Sequence, residues 1–270
     1  MSQRIVTAIL LLPILIASIW IEKLLFVFLL FACVAMGFGL VEFWRLAQRC
    51  GFDPDRLTGS VFAGLIFVAF VFDRPQWLPS LVAALVCVAL VRALLRGAPF
   101  DRMIGQVGAT LLGVLYVALL GGFLVGVRRG FEPLLAAKLL SFFLLVIMGA
   151  DTAAYYAGRA FGKRKLAPSI SPGKTWEGAA AGMIASLAAA LIAHHWFFPE
   201  LRLSVGLALA AVMNVVGVAG DLTESALKRG AGAKDAASIL PGHGGFLDRL
   251  DSLLFNAPLL YFFGKAYFSA

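Results

Sequence analysis

The chain has 270 residues, of which 61% are hydrophobic and 14% are charged, and its mean hydropathy is +0.92. Soluble domains are nearer a quarter charged, so this composition excludes a soluble enzyme and leaves no room for a separate soluble domain. The formal net charge of +8 does not indicate nucleic acid, because most aromatic residues are Phe within apolar segments. Topology signals and anionic lipid or phosphate partners explain the positive excess better.

Apolar stretches long enough to cross roughly 30 Å of hydrocarbon recur along the whole chain. They predict an all-α, polytopic integral membrane protein with about nine transmembrane helices and a polar site at the cytoplasmic surface. Residues 1–270 form a single membrane domain, in which 1–130 hold spans 1–5 and 131–270 hold the catalytic spans 6–9, with polar connections near 162–177 and 230–251. The predicted spans cover residues 5–21, 24–41, 57–72, 77–95, 104–127, 134–161, 178–198, 203–229 and 252–268.

Nine spans place the two termini on opposite sides, and the distribution of positive charge predicts which side each occupies. Sixteen of the 23 Lys and Arg residues fall on the side of the N-terminus and seven on the other. The N-terminus is therefore expected in the cytoplasm and the C-terminus outside, in the bacterial inner membrane. Without the charges at 159–174 and 228–249 the tally is even, so this orientation depends on the presumed site. Both polar connections fall on the same side, which favours one composite site.

The stretch from Gly220 to Ser252 carries much of the charge of this hydrophobic chain. On a continuous helix, Asp221, Glu224 and Lys228 fall on one face. Carboxylates on membrane helices normally face the protein interior or a water-filled cavity. Glu224 can form an ordinary ion pair with Lys228 at i, i+4. Asp221 has no such cation at helical spacing, which favours a functional role.

Asp248 and Asp251 open the last predicted span. Either can cap the helix or complement its dipole. The preceding PGHGG run instead suggests a backbone that approaches an anionic ligand closely. Beside the carboxylates and Arg249, the run predicts a phosphate cradle next to a metal. His243 within it could be a metal ligand, an acid/base group or a structural residue.

Hard cations such as Mg²⁺ take oxygen ligands, often one or two carboxylates plus substrate phosphates. Asp221 and Asp248, on two successive helices, could supply them from opposing walls. Basic side chains would then balance the charge of a polyphosphate, with Arg suited to bidentate contact and Lys acting as a point charge. The basic residues of this stretch are Lys228, Arg229, Lys234 and Arg249.

A second polar cluster runs from Asp151 on the sixth span to Glu177 at the start of the seventh. Within it, the run SPGKTWEG is a short polar turn, and its Ser171, Lys174 and Thr175 can bind phosphate. The run is not a Walker A loop, because the glycine spacing is wrong and no strand precedes it.

The 27 residues from Ser225 to Asp251 resemble, without a departure, the signature of the phosphatidate cytidylyltransferases (CDP-diacylglycerol synthases). The run SPGKTWEG is similar to the family's second recurring motif. The resemblance implies that CTP and phosphatidic acid give CDP-diacylglycerol and pyrophosphate, with Mg²⁺ required. It also implies that Asp221 and Asp248 bind the metal. A second cation and homodimers are described for the family.

The resemblance and the residue chemistry together define the expected site. The expected mechanism is attack of a phosphate oxygen of phosphatidic acid on the α-phosphorus of CTP, at the cytoplasmic surface of the membrane. The predicted catalytic residues are Asp221, Asp248, Lys228, Arg229, His243 and Asp251. The predicted substrate-binding residues are Ser171, Lys174, Thr175, Glu177, Asp151, Lys234, Asp235 and Arg249.

Two alternatives differ in class. One is a related CTP-dependent lipid nucleotidyltransferase or kinase with another lipid acceptor. The other is an ion-coupled transporter, which predicts charges near mid-membrane and inverted repeats. The chain shows no repeat and its charges cluster towards one surface, which favours the enzyme.

Overall fold

The computed structural model describes residues 12–98, 100–233 and 245–268. Within these ranges the chain forms nine helices and a two-stranded hairpin. The helices are α1 (residues 12–20), α2 (Leu25–Arg49), α3 (Arg56–Val71), α4 (Leu78–Arg96), α5 (Met103–Gly130), α6 (Pro133–Phe161), α7 (Trp176–Trp196), α8 (Leu203–Gly230) and α9 (Leu247–Phe268). Short 3-10 turns at Glu22–Leu24 and Pro75–Trp77 precede α2 and α4, and residues Val114–Leu119 of α5 are π-helical.

Six segments of the described chain are long and apolar enough to cross a membrane. The predicted all-α, polytopic character is confirmed. The count of nine spans stays a prediction: α3 has only 16 residues, α1 is described only from residue 12, and α9 is not among the six. At 1.5 Å per residue, the 29 residues of α6 and the 28 residues of α8 extend roughly 42–44 Å, which exceeds the hydrocarbon thickness. The six segments are Glu22–Arg49, Pro75–Arg96, Met103–Gly130, Pro133–Phe161, Trp176–Trp196 and Leu203–Gly230.

Two local predictions need correction. The second span was expected to end at residue 41, but α2 continues to Arg49. The connection 162–177, expected to be a polar turn, contains β1 (Lys165–Ala167) and β2 (Ser171–Thr175), paired antiparallel. Backbone N–H and C=O groups need partners, and the hairpin lets the two halves of this connection supply them to each other.

Glycines bring the helices that carry the polar residues into backbone contact. A Cβ added at Gly178 of α7 would lie 2.8 Å from the carbonyl oxygen of Ala154 in α6. A Cβ added at Gly220 of α8 would lie 2.7 Å from the carbonyl oxygen of Asp251 in α9. Small residues at such crossings are typical of membrane helix packing. They bring α7 onto α6 and α9 onto α8 near the polar residues of these helices.

Candidate functional site

The hairpin between α6 and α7 contacts α8 through an ion pair between Lys174 and Asp221. Lys174 lies on β2 and its Nζ contacts Oδ2 of Asp221 on α8. The lysine side chain is 23% exposed and the aspartate side chain 32%. Asp221 has no cation at helical spacing, and the structure supplies one from the hairpin. The first polar connection is therefore in contact with α8, and the composite site with the second connection stays a prediction, because residues 234–244 lie outside the described residues.

Carboxylates on three helices lie within electrostatic reach of one another and of Lys174. The negative charges of Asp221 on α8 and Asp151 on α6 repel that of Asp251 on α9, and Asp221 also repels Asp151. Lys174 attracts both Asp151 and Asp251. We call Asp151, Asp221 and Asp251 the acidic cluster. Like charges within electrostatic reach of one another are stabilised by a nearby cation, and Lys174 is such a cation.

A second group, the Lys228 triad, consists of Lys228, Glu224 and Asp248. The Lys228 Nζ contacts Oε2 of Glu224 one turn earlier on α8 and Oδ1 of Asp248 on α9. The three side chains are 13%, 0% and 15% exposed, respectively. The predicted i, i+4 ion pair is thus present, and it extends to a second helix. Buried charges persist only when they are paired, so the triad holds α8 and α9 in one arrangement.

Asp248, in the first turn of α9, also binds the backbone that leads into the helix. Its Oδ2 accepts a hydrogen bond from the backbone N–H of Gly245 at 2.8 Å, while Oδ1 contacts Lys228. A capping role for Asp248 or Asp251 stays a prediction. The hydrogen bond and the ion pair both hold the Asp248 carboxylate at the start of α9.

Several predicted substrate-binding residues have clear contacts within the protein. Thr175 is buried and its Oγ1 accepts from the N–H of Gly178, so it is the N-cap of α7. Glu177 accepts from the backbone N–H groups of Lys163 at 3.0 Å and Arg164. These contacts attach the hairpin to the start of α7. Their contribution to substrate binding stays a prediction.

Arg229 joins the hairpin to the end of α8. Its Nε donates to the carbonyl oxygen of Ile170 at 3.2 Å, and its Nη1 donates to that of Ala233 at 3.4 Å. Ser171 pairs with Ala167 in the hairpin ladder, and Arg249 is exposed in the first turn of α9. The remaining predicted residues, Lys234, Asp235 and His243, lie outside the described residues.

Two residues near the site were not predicted. Glu42 of α2 is fully buried and binds backbone N–H groups at the start of α9. A lone carboxylate on an apolar helix is the signal that could have identified it, but the predicted span ended one residue before it. Tyr116 lies in the π-helical part of α5, within electrostatic reach of Asp251, and its buried hydroxyl has no hydrogen-bond partner among the described residues. π-Helical turns are frequent at functional sites, but sequence periodicity does not reveal them.

The acidic cluster contains oxygen donors of the kind that hard cations take. Among the described residues, no three His, Cys, Asp or Glu side chains are close enough together to form an all-protein metal site. Mg²⁺ does not require one, since it is usually held by one or two carboxylates together with water and substrate phosphates. Asp221 pairs with Lys174, and Asp248 with Lys228. The proposed ligand pair Asp221 and Asp248 therefore stays a prediction.

Comparison with known proteins shows similarity over the whole chain. A model of the cytidylyltransferase family matches residues 2–267. The phosphatidate cytidylyltransferase of Haemophilus influenzae is 31% identical, over 97% of this chain and 98% of its own length. Those of Pseudomonas aeruginosa and Bacillus subtilis are 36% and 31% identical, over 96% and 97% of this chain and 95% and 97% of their own lengths. The similarity thus includes α2 and the N-terminal helices as well as the polar site.

Proposed function

The chain belongs to the cytidylyltransferase family, and we infer that it is a CTP-dependent nucleotidyltransferase of phospholipid biosynthesis that acts on phosphatidic acid. Its products are CDP-diacylglycerol and pyrophosphate. The observation that carries this conclusion is the similarity, over almost the full length, to proteins named for this reaction. The paired lysines and carboxylates, gathered from membrane helices and the hairpin, suit a lipid substrate with a charged head group.

The reaction is a substitution at phosphorus. A phosphate oxygen of phosphatidic acid forms a bond to the α-phosphorus of CTP, and the bond from that phosphorus to the bridging oxygen breaks as pyrophosphate leaves. The attacking oxygen is already anionic at neutral pH, so no strong general base is needed. The main obstacle is the approach of two anions, and positioned cationic groups reduce it.

The two lysines of the site suit different tasks. Lys174 lies on the more exposed hairpin, so we assign it to the phosphates of the incoming nucleotide, which would replace Asp221 as its partner. Lys228 donates a hydrogen bond to Oδ1 of Asp248 and forms an ion pair with Glu224. We assign its ammonium group to a phosphate oxygen of a substrate, and the two carboxylates hold that group in place.

We propose Mg²⁺ as the cofactor. When bound, it neutralises phosphate charge and aligns the reacting groups. Asp221 and Asp248 are the proposed ligands, and the acidic cluster adds Asp151 and Asp251 as neighbouring carboxylates. In the structure, Lys174 pairs with Asp221 and Lys228 pairs with Asp248.

We propose that the site faces the cytoplasm, where CTP is available, and that the protein forms a homodimer. The distribution of positive charge along the chain supports the orientation.

Cys50, which is exposed and directly follows α2, provides a test because it lies on the predicted cytoplasmic side. A membrane-impermeant maleimide should label it only after intact cells are permeabilised, and labelling of intact cells would contradict the orientation. Light scattering of the detergent-purified protein measures the oligomeric state.

The test of the function is conversion of CTP labelled at the α-phosphate into extractable lipid by the purified protein with phosphatidic acid and Mg²⁺. We expect Asp221→Asn and Asp248→Asn to lower the rate by about a hundredfold or more, the scale of losing one electrostatic contact in a preorganised site. Asp101→Asn, in the connection between α4 and α5, should stay within about twofold of wild type. Chelation of Mg²⁺ should abolish conversion and added Mg²⁺ should restore it.

The possible results distinguish an error in the proposed function from an error in the assigned metal ligands. A folded wild-type protein that makes no labelled lipid would contradict the function. Near-normal Asp221→Asn and Asp248→Asn variants would leave the function and contradict the assigned metal ligands. Competition by an isoprenoid lipid phosphate stronger than that by phosphatidic acid would instead indicate a different acceptor.

A further inference from the structure

A buried carboxylate from the N-terminal half of the chain binds the start of α9. Glu42 lies on α2 and is 0% exposed. Its Oε1 accepts a hydrogen bond from the N–H of Phe246 at 3.0 Å, and its Oε2 accepts one from the N–H of Leu247 at 2.8 Å. These two residues directly precede Asp248. Glu42 is thus in contact with the backbone that carries one of the proposed metal ligands.

The contact satisfies groups that the helix cannot satisfy itself. The first N–H groups of a helix have no intrahelical partner, and the helix dipole favours a negative charge beside them. Glu42 takes two of these donors, while Asp248 takes the N–H of Gly245 at 2.8 Å. A buried carboxylate is costly unless it is fully hydrogen-bonded. Glu42 and the start of α9 therefore satisfy each other's hydrogen-bonding groups.

Packing reinforces the two hydrogen bonds. Phe38, one turn before Glu42 on α2, stacks on the ring of Phe246 with centroids 5.0 Å apart and planes 10° apart. Leu247 is fully buried in a cluster that includes Leu40 and Phe43 of α2. α2 therefore contacts the backbone, the ring and the aliphatic side chain of residues 246 and 247.

We propose that Glu42 is a positioning residue of the active site. By holding Phe246 and Leu247, it sets where Asp248 meets Lys228, and so aligns the phosphate-binding groups of α8 with those of α9. It does not touch the substrate. This role rests on the proposed function, and it gives the N-terminal helices a part in the reaction that the polar motifs alone do not reveal.

The test compares Glu42→Gln with a matched control. Gln keeps the shape but has one acceptor oxygen, so one N–H of α9 would face an amide N–H₂ group. Glu132→Gln is the control, because Glu132 also caps a helix with its carboxylate, accepting from Leu135 at the start of α6. Glu132 precedes α6, 19 residues before Asp151 in the chain. It is exposed, so this variant controls for the loss of a capping carboxylate away from the site.

We expect Glu42→Gln to lower kcat by about tenfold or more, the effect of losing one hydrogen bond to a charged group, with the KM for CTP within about threefold of wild type. Glu132→Gln should leave kcat within about twofold. Amide hydrogen exchange should accelerate at Phe246 and Leu247 in Glu42→Gln and stay unchanged there in Glu132→Gln. An unchanged kcat in Glu42→Gln would overturn the proposal, whether exchange accelerates or not.

A second variant covers the case in which Glu42→Gln does not fold. Phe38→Leu keeps the carboxylate and removes the ring that stacks on Phe246. We expect a severalfold lower kcat with exchange accelerated at Phe246, and wild-type values of both would overturn the proposal. If wild-type protein is inactive with CTP and phosphatidic acid, the proposed function fails. Exchange at Phe246 and Leu247 then decides by itself whether Glu42 holds α9.

Discussion

Replacement of Lys228 by Met is expected to destabilise the protein far more than the same replacement of an equally buried lysine elsewhere. Lys228 and Lys138 have the same side-chain exposure of 13%. Lys228 pairs with Glu224, which is 0% exposed, and with Asp248. Lys138 pairs with Glu200, which is 55% exposed. The comparison therefore contrasts a lysine that has a fully buried partner carboxylate with one whose partner is exposed.

The expected magnitudes follow from what each replacement leaves behind. Removal of one partner of a buried pair costs about 3–5 kcal/mol, because the other charge stays buried and uncompensated. Glu200 remains in water after Lys138→Met, so the loss there should be about 1 kcal/mol or less. Addition of Glu224→Gln to Lys228→Met removes the buried negative charge. The double variant should therefore recover about 1 kcal/mol or more of the loss.

The assay is equilibrium unfolding in mixed micelles with increasing dodecyl sulfate, followed by tryptophan fluorescence and circular dichroism. Lys228→Met, Lys138→Met, Glu224→Gln and the double variant would be measured side by side with wild type. Equal losses for the two lysine variants would refute the argument from burial. A double variant no more stable than Lys228→Met would refute the claim that the charge of Glu224 is what becomes costly.

Two further predictions test other contacts of the fold. Burial opposes ionisation of Asp55, but hydrogen bonds from Arg92 and Thr58 outweigh it and lower the pKa of Asp55 to about 2. A carboxyl with a lowered pKa stabilises the fold at pH values above its unfolded pKa, which is near 4. The wild-type free energy of unfolding should therefore fall by about 2 kcal/mol between pH 5 and pH 2, and that of Asp55→Asn should not. The same pH dependence of unfolding in both proteins would contradict this. Gly220→Ala should lower the free energy of unfolding by about 1–3 kcal/mol, because the added methyl group overpacks against α9. Gly149→Ala is the control, since Gly149 has open space around it, and it should change stability little. Equal thermal unfolding midpoints for the two variants would contradict the contact at Gly220.

The membrane class and the candidate residues could be predicted from local features of the chain. Apolar length alone indicates helices that cross a bilayer, and a period of 3.6 residues places Glu224 and Lys228 on one helix face. The structure confirms the all-α polytopic character and this ion pair. The reaction was expected from the resemblance of two polar motifs, and the similarity over the whole chain agrees with it.

The partners across helices could not be predicted in the same way. Asp221 shows no cation at helical spacing, yet Lys174 reaches it from a hairpin that had been expected to be a turn. Glu42 lies one residue beyond a predicted span but is buried in the structure against the start of α9. Both contacts join residues far apart in the chain, where periodicity carries no information.

What the sequence by itself determined, then, is which residues are polar in an apolar chain, which of them share a helix face, and which family's motifs they match. Tertiary structure decided which charges neutralise one another. The physical reason is that a buried charge must find a partner, but the choice of partner depends on how closely two backbones approach. Here that approach is set at Gly178 and Gly220, where a missing side chain lets one helix touch the next.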